Sequence, residues 1–229
     1  MIKYPMQTRR ALLVWQRPLN EGGRRDRFAV AELVQEKSGV SFRYLEEELL
    51  KDARKAGFTH YPGLPVGSPR HDRIALEVLM RRLPPRDRAD FSDFLNRFGL
   101  PKDGEYSDLS LLAYTGARMT RDSFSICETF DGFSLPVTYI FHVAGNRHHV
   151  DYNDVSKGEA VILERESGNP HDPNAIRLIR EDGGTIGYVN RLQAQKVGIW
   201  LDSGSVSASV FRVNGKARIP RLFVRAEFS

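Results

Sequence analysis

Asn169-Pro170-His171-Asp172-Pro173-Asn174-Ala175-Ile176, followed within a dozen residues by Thr185-Ile186-Gly187-Tyr188-Val189, sets the architecture of the C-terminal half. Two prolines and three Asx residues in six positions specify a turn. Proline presets φ, and Asn or Asp side chains accept hydrogen bonds from backbone N–H groups just downstream. The flanking segments Ala160–Arg165 and Ala175–Arg180 read as strands. A turn this constrained aims its side chains in set directions, as a binding site requires.

Outward from the turn the pattern stays that of short strands. In Leu135–Ala144, Val137, Tyr139, Phe141 and Val143 alternate with Thr138, Ile140, His142 and Ala144. Beyond Tyr188, Arg191–Leu201 fits a helix stopped by Gly204, and Ser205–Val213 and Ile219–Phe228 fit two further strands. Gly187 inside a strand marks a close approach of a neighbouring backbone or a ligand. The expectation is a short-stranded β-barrel of SH3 or oligonucleotide-binding-fold size, crossed by one helix.

Four segments in order, Ala144-Gly145-Asn146-Arg147-His148-His149, Gly158–Glu166, the Asn-Pro-x-Asp-Pro-Asn-Ala turn and the Ile-Gly-Tyr strand, resemble the HIRAN domain of Swi2/Snf2-type helicase-like proteins. The resemblance runs from about Val143 to Asp202. It implies a small barrel that binds DNA, in the best-known members the 3′ end of a single strand. It also implies roles for individual residues. Arg147 meets a phosphate, and His148 and His171 supply flat rings for bases. Asp172 accepts a hydrogen bond from a 3′-hydroxyl, and Asn169 holds the turn or touches the sugar. By their own chemistry Tyr188 and Arg191 read either as phosphate contacts or as a half-buried strand tyrosine and a solvated residue at the helix start. The best-characterised relatives carry tyrosine where this chain has His148 and His171. Histidine stacks over less area, so stacking falls toward the low end of roughly 1–3 kcal/mol per base. Asn174 reads as structural.

The N-terminal half, taken as residues 1–130, is mixed and mostly helical. Ala11–Trp15, Arg27–Gln35 and Val40–Leu45 are strand-like and make a small antiparallel sheet, with Asn20–Asp26 as a charged hairpin loop. Helices are expected over Leu45–Ala56, His71–Leu83, Arg86–Phe98 and Ser107–Tyr114, the last N-capped by Ser107. Leu49 and Ile74 belong to the apolar faces of the first two, and Phe91, Phe94 and Phe98 form a stripe read as core. Val40-Ser41-Phe42-Arg43-Tyr44, Gly63-Leu64-Pro65 and Asp108–Gly116 resemble the N-terminal subdomain of HipA-type toxin kinases, which implies a protein-binding or regulatory subdomain without phosphoryl transfer. The whole is therefore α+β, with a DNA-binding barrel over residues 131–229.

Composition narrows the classes. The net charge is +5. Residues 1–130 hold 22 Lys and Arg against 18 Asp and Glu, and residues 131–229 hold 12 against 11. A barrel this near neutral favours a local site over a broad basic face, hence few phosphate contacts and a shallow salt dependence. The lone cysteine, Cys127, excludes an internal disulfide and suits the cytoplasm; without a basic helper it reads as buried rather than nucleophilic. No apolar run spans a bilayer, and Met1–Pro5 has no signal-peptide character.

There is no P-loop, no kinase catalytic loop and no HExxH. Among the six histidines, His142, His148, His149 and His171 invite a metal reading, but their spacing does not support one. No cofactor is expected. Arg24-Arg25 and Arg81-Arg82 read as solvated faces. The sequence reading is a non-enzymatic protein of DNA repair or genome defence. It binds single-stranded DNA or 3′ ends through Arg147, His148, Asn169, His171, Asp172, Tyr188 and Arg191, with a protein partner at the N-terminal domain. The rival is a toxin–antitoxin-type regulatory module without DNA-end binding.

Overall fold

The computed structural model describes residues 1–18, 26–67, 72–119, 122–150, 155–214 and 221–229. Arg24, Arg25 and the rest of the expected loop up to Arg25 lie outside these residues, as does His71. The described residues divide into two compact units. One is Gln7–Phe98 with Lys102–Gly132; the other is Phe133–Ser229 with Met1–Met6 and Gly99–Pro101.

The N-terminal unit is built on an antiparallel sheet of order β3-β2-β1-β4, comprising β1 (Arg10–Gln16), β2 (Arg27–Glu36), β3 (Gly39–Tyr44) and β4 (Phe124–Glu128). The first three are the strands expected from the sequence, β1 from its apolar run and β2 and β3 from their alternation. A bulge at Leu13/Val14 shifts the register of β1 against β2, so Val30, Ala31 and Leu33 are buried while Phe28 is half-exposed. Three helices are shorter than expected, α1 (Glu47–Lys55), α2 (Asp72–Met80) and α3 (Phe91–Arg97), while α4 (Asp108–Thr115) lies where expected.

Ser107 caps α4 as expected, its hydroxyl accepting from the Ser110 N–H at 3.1 Å. Two apolar assignments fail. Leu49 is 66% and Ile74 60% exposed, because Leu50 and Ala53 on α1 and Ala75 and Leu79 on α2 face the core instead. The aromatic stripe is not core either. Phe91, Phe94 and Phe98 are half-exposed and pack on one another at 5.7 and 5.2 Å, while Leu95 is the buried residue.

Arg82, expected on a solvated face, is buried. Its side chain is 2% exposed, pairs with both oxygens of Asp122 and donates to the Tyr61 hydroxyl and the carbonyls of Ala117 and Phe124. A buried guanidinium needs this many acceptors, and here they come from four residues, Tyr61 and the later Ala117, Asp122 and Phe124. Cys127 is buried in β4, and burial pushes its thiol up to about 12, with a smaller contribution from Glu128.

The barrel unit comprises β5 (Val137–His142), β6 (Ala160–Arg165), β7 (Ile176–Ile179), β8 (Thr185–Tyr188), α5 (Arg191–Ser203), β9 (Val206–Asn214) and β10 (Arg221–Phe228). The sheet order is β5-β10-β9-β6-β7-β8, antiparallel throughout. It curls until its two edges meet. Ala144, just past β5, bridges Tyr188 on β8, with the Ala144 N–H donating to the Tyr188 carbonyl at 2.8 Å and the Tyr188 N–H to the Ala144 carbonyl at 2.9 Å. Closure removes the open edges that a free sheet would present.

Phe141, Val143, Ile176, Leu178, Ile186, Val197, Val210, Val224 and Phe228 fill the interior. From the helix, Trp200 packs on Phe228 at 5.2 Å. Met1–Met6 joins this unit through the Ile2 N–H to Gly99 carbonyl bond (2.6 Å) and the Lys3–Glu227 ion pair (2.9 Å). Among the described residues, no helix is long and apolar enough to cross a membrane.

Candidate nucleic-acid interface

Gly187 brings the site together. Its φ is +138°, and a Cβ there would stand 2.5 Å from the Ala144 carbonyl oxygen and 2.5 Å from Val143 Cγ1. The close approach read from the sequence is thus that of a neighbouring backbone. Because β8 presses against the segment after β5, Tyr188 sits beside the Gly145–His149 turn.

That turn is a short 3₁₀ element, Asn146–His148, entered through Gly145 in the left-handed region (φ +71°). Asn146 is buried, while Arg147, His148 and His149 are exposed. The Arg147 Nε donates to His148 Nε2 at 2.9 Å, which joins the guanidinium and the imidazole as one surface element. The His149 ring meets the Tyr188 ring nearly edge-on, with centroids 5.5 Å apart and planes at 62°.

Across Tyr188 lies the Pro-Asx turn. Asn169 is its hub. Its Oδ1 accepts from the N–H groups of His171 (2.9 Å) and Asp172 (3.1 Å), and its Nδ2 donates to Glu166 Oε2 at 2.6 Å. With both ends of its amide so engaged, Asn169 holds the turn. Asp172 Oδ1 accepts from the Asn174 N–H at 2.9 Å, the Asx-turn geometry that tightens the loop. His171 projects into solvent.

Glu166 links the two turns, accepting from Asn169 and hydrogen-bonding to Tyr188. These bonds, Asn169 foremost, hold its carboxyl below the usual carboxylate range. Burial, then the Glu166 bond and charge, push the Tyr188 hydroxyl up.

Arg177 stands in the same row. Strand register places Glu164, Arg177, Tyr188 and Ala144 side by side across β6, β7, β8 and the closing segment. Arg177 pairs with Glu164 at 2.7 Å and lies 3.8 Å from Glu166. Arg191 is exposed at the first position of α5, whose N-cap Asn190 accepts from the Leu192 N–H at 3.1 Å. Arg165, in contrast, is tied to Asp202 by two bonds of 3.0 and 2.6 Å and lies against Gly198 on α5.

Tyr188 therefore touches both turns, through His149 on one side and through Glu166 and Asn169 on the other. Glu166, Arg177 and His149 were not named as site residues from the sequence. Arg177 was invisible because only strand register places it beside Tyr188. Glu166 gave one signal, its three-residue spacing from Asn169. Among the described residues, no group of three or more His, Cys, Asp or Glu is placed to hold a metal ion. A cleft of about 770 Å³ belongs to the N-terminal unit instead, and Val40, Leu76, Met80, Glu36, Glu77 and Asp87 are among its lining.

Residues 136–228 match the HIRAN domain family. This part of the chain is a HIRAN domain. Over 62 residues the chain is 34% identical to rabbit (Oryctolagus cuniculus) helicase-like transcription factor, a stretch covering 27% of this chain and 6% of that protein's length. Three solved structures are similar in part. The crystal structure of the HIRAN domain of human HLTF has 24% identity and a TM-score of 0.35, covering 40% of this chain and 74% of that one. The NMR structure of the HLTF HIRAN domain in its DNA-bound conformation has 23% identity and a TM-score of 0.34, covering 44% and 80%. A protein from Lactobacillus plantarum has 26% identity and a TM-score of 0.32, covering 38% and 91%.

Proposed function

We propose that the HIRAN domain of this chain binds DNA and takes the 3′-hydroxyl end of a single strand at the surface formed by its two turns. The observation that carries the reading is the junction at Tyr188, which packs on His149 beside the exposed Arg147–His148 pair and reaches Glu166, the residue bonded to Asn169 of the Pro-Asx turn, on a barrel with almost no net charge. Arg147 and Arg191 supply positive charge for phosphates. His148 and His171 supply flat rings on which bases stack. Asp172 spends one carboxylate oxygen on the turn, and its other oxygen accepts from a terminal hydroxyl. A carboxylate repels a phosphate at that point, so the same group separates an end from a continuing strand. The Glu164 and Glu166 carboxylates, beside Arg177, add to the selection against general phosphate binding.

We assign no catalytic step to the chain, which acts in this reading as a non-enzymatic DNA-end reader in the cytoplasm. A partner protein would dock on the N-terminal unit, whose cleft is lined by the apolar Val40, Leu76 and Met80 and by the charged Glu36, Glu77, Asp87 and Arg86.

The test compares oligonucleotides identical except for a 3′-hydroxyl or a 3′-phosphate, by fluorescence anisotropy. Tighter binding of the hydroxyl form is expected, and Asp172→Asn should reduce the difference. Equal affinity for the two ends refutes end reading. No binding of either, at low salt, refutes the DNA assignment.

A further inference from the structure

The N-terminal sheet ends at β3, which pairs with β2 and with no further strand among the described residues. The phase of its hydrogen bonds is set just past the strand, where the Leu45 N–H donates to the Val30 carbonyl at 3.1 Å. Bonded and non-bonded pairs alternate along an antiparallel ladder. The register that sets Tyr44 opposite Ala31 therefore makes Arg43, Ser41 and Gly39 the bonded positions. Val40, between the last two, turns its N–H and C=O away from β2. Its opposite residue obeys the same phase: the Gln35 N–H goes to the Arg9 carbonyl at 2.8 Å.

The cleft of about 770 Å³ runs along this stretch, lined by Gly39, Val40 and Ser41 and, from α2, by Leu76, Glu77 and Met80. Val40 is buried and Leu76 and Met80 are half-buried, so the surface between strand and helix is apolar. The charge around it is one-sided. Glu36, Glu77, Asp87 and Asp108 border the cleft, and Arg86, the one cationic residue of the described lining, is held by Asp108 at 2.6 Å. Glu77 and Asp87 are exposed. On a chain of net charge +5 this is a local acidic field, which repels phosphates and draws in cationic side chains.

We propose that the cleft takes an extended, basic segment of a partner protein. Its Lys or Arg side chains meet Glu77 and Asp87, its aliphatic side chains lie on Val40, Leu76 and Met80, and its backbone bonds to Val40 at the sheet edge. In strand addition of this kind, main-chain hydrogen bonds give affinity and alternate side chains give specificity. Lysine and arginine stems add apolar contact while their heads reach the carboxylates. This inference rests on the reading that a partner docks on the N-terminal unit, and it specifies the chemistry of the docked segment.

The experiment titrates three peptides into the full chain and follows backbone amide shifts by NMR. They are Gly-Lys-Val-Lys-Leu-Lys-Gly, the same peptide with glutamate for each lysine, and the same peptide with proline for the central lysine, which removes a main-chain donor. The lysine peptide is expected to shift the amides of Val40, Leu76, Glu77 and Met80, the glutamate peptide to shift none of them, and the proline peptide to bind more weakly. Glu77→Lys combined with Asp87→Lys, both at exposed positions, should weaken the lysine peptide about tenfold. Unchanged binding in that double variant, or equal binding of the glutamate peptide at the same amides, overturns the basic chemistry and leaves a docking cleft standing. Undiminished binding of the proline peptide overturns strand addition. No shift in the cleft with any of the three removes the docking reading and this inference together.

Discussion

Replacing Gly187 by alanine should open the barrel at its seam. The new Cβ would stand 2.5 Å from the Ala144 carbonyl oxygen, 2.5 Å from Val143 Cγ1 and 3.2 Å from the Asn146 nitrogen. Two of these are backbone atoms and cannot swing aside. Relief requires β8 and the segment after β5 to part by roughly 1 Å, since ordinary contact lies near 3.5 Å. The bonds at risk are the pair between Ala144 and Tyr188, at 2.8 and 2.9 Å. Two backbone hydrogen bonds contribute about 1 kcal/mol each, and a non-glycine residue at φ +138° adds strain of about 1–3 kcal/mol.

The expected cost is thus about 3–5 kcal/mol, a large part of a typical domain's stability. Gly183 is the control. It has φ +86° and nothing within 4 Å of a Cβ, so Gly183→Ala carries strain alone, about 1–2 kcal/mol. Hydrogen exchange of the Ala144 and Tyr188 amides by NMR measures the seam directly, alongside urea unfolding. A 2 kcal/mol gap between the variants corresponds to roughly thirtyfold faster exchange in Gly187→Ala. Equal protection of the seam in the two variants would refute the close-approach argument.

Three further outcomes follow from other parts of the molecule. Glu128 is fully buried, accepts from the Phe130 N–H at 2.9 Å and pairs with the Thr8 hydroxyl; burial pushes its carboxyl up to about 7. The folded state then holds a proton that the unfolded chain releases near 4.5, so stability falls as pH rises from about 4.5 to 7, by about 3 kcal/mol, and is flat above. Glu128→Gln should remove that slope in urea titrations across this range; a slope unchanged in the variant contradicts the assignment. Cys127, with its thiol pushed up to about 12, should react with an aromatic disulfide reagent only after unfolding, and rapid labelling of the native protein at pH 8 would be inconsistent with its burial. Arg147→Ala and Arg191→Ala should each weaken single-strand binding and lower the slope of log affinity against log salt by about 0.7, with an unchanged slope showing that the residue meets no phosphate.

Local chemistry made the Pro-Asx turn legible. Asn169 and Asp172 accept the hydrogen bonds that their spacing predicts, and the Ser107 cap forms for the same short-range reason. The alternation along β5 identified Val137, Tyr139 and Phe141, and Val143 just beyond it, as buried side chains, since the period of two follows from the backbone pleat.

Other features rest on partners distant in the chain. β4 escaped the sequence reading, although it pairs with β1, more than a hundred residues earlier. Arg82 reads as one of a solvated pair, and its burial depends on acceptors at Tyr61, Ala117, Asp122 and Phe124, 21 to 42 residues away in sequence, that meet it only in the folded chain. The Glu164, Arg177, Tyr188 and Ala144 row exists only once register is chosen, because a slip of one residue would turn every one of these side chains to the other face. By itself the sequence determined where the strands other than β4 form, where they turn, and that Gly187 must face something close. Tertiary structure alone decided that this neighbour is Ala144, and therefore that Tyr188 stands between the two turns.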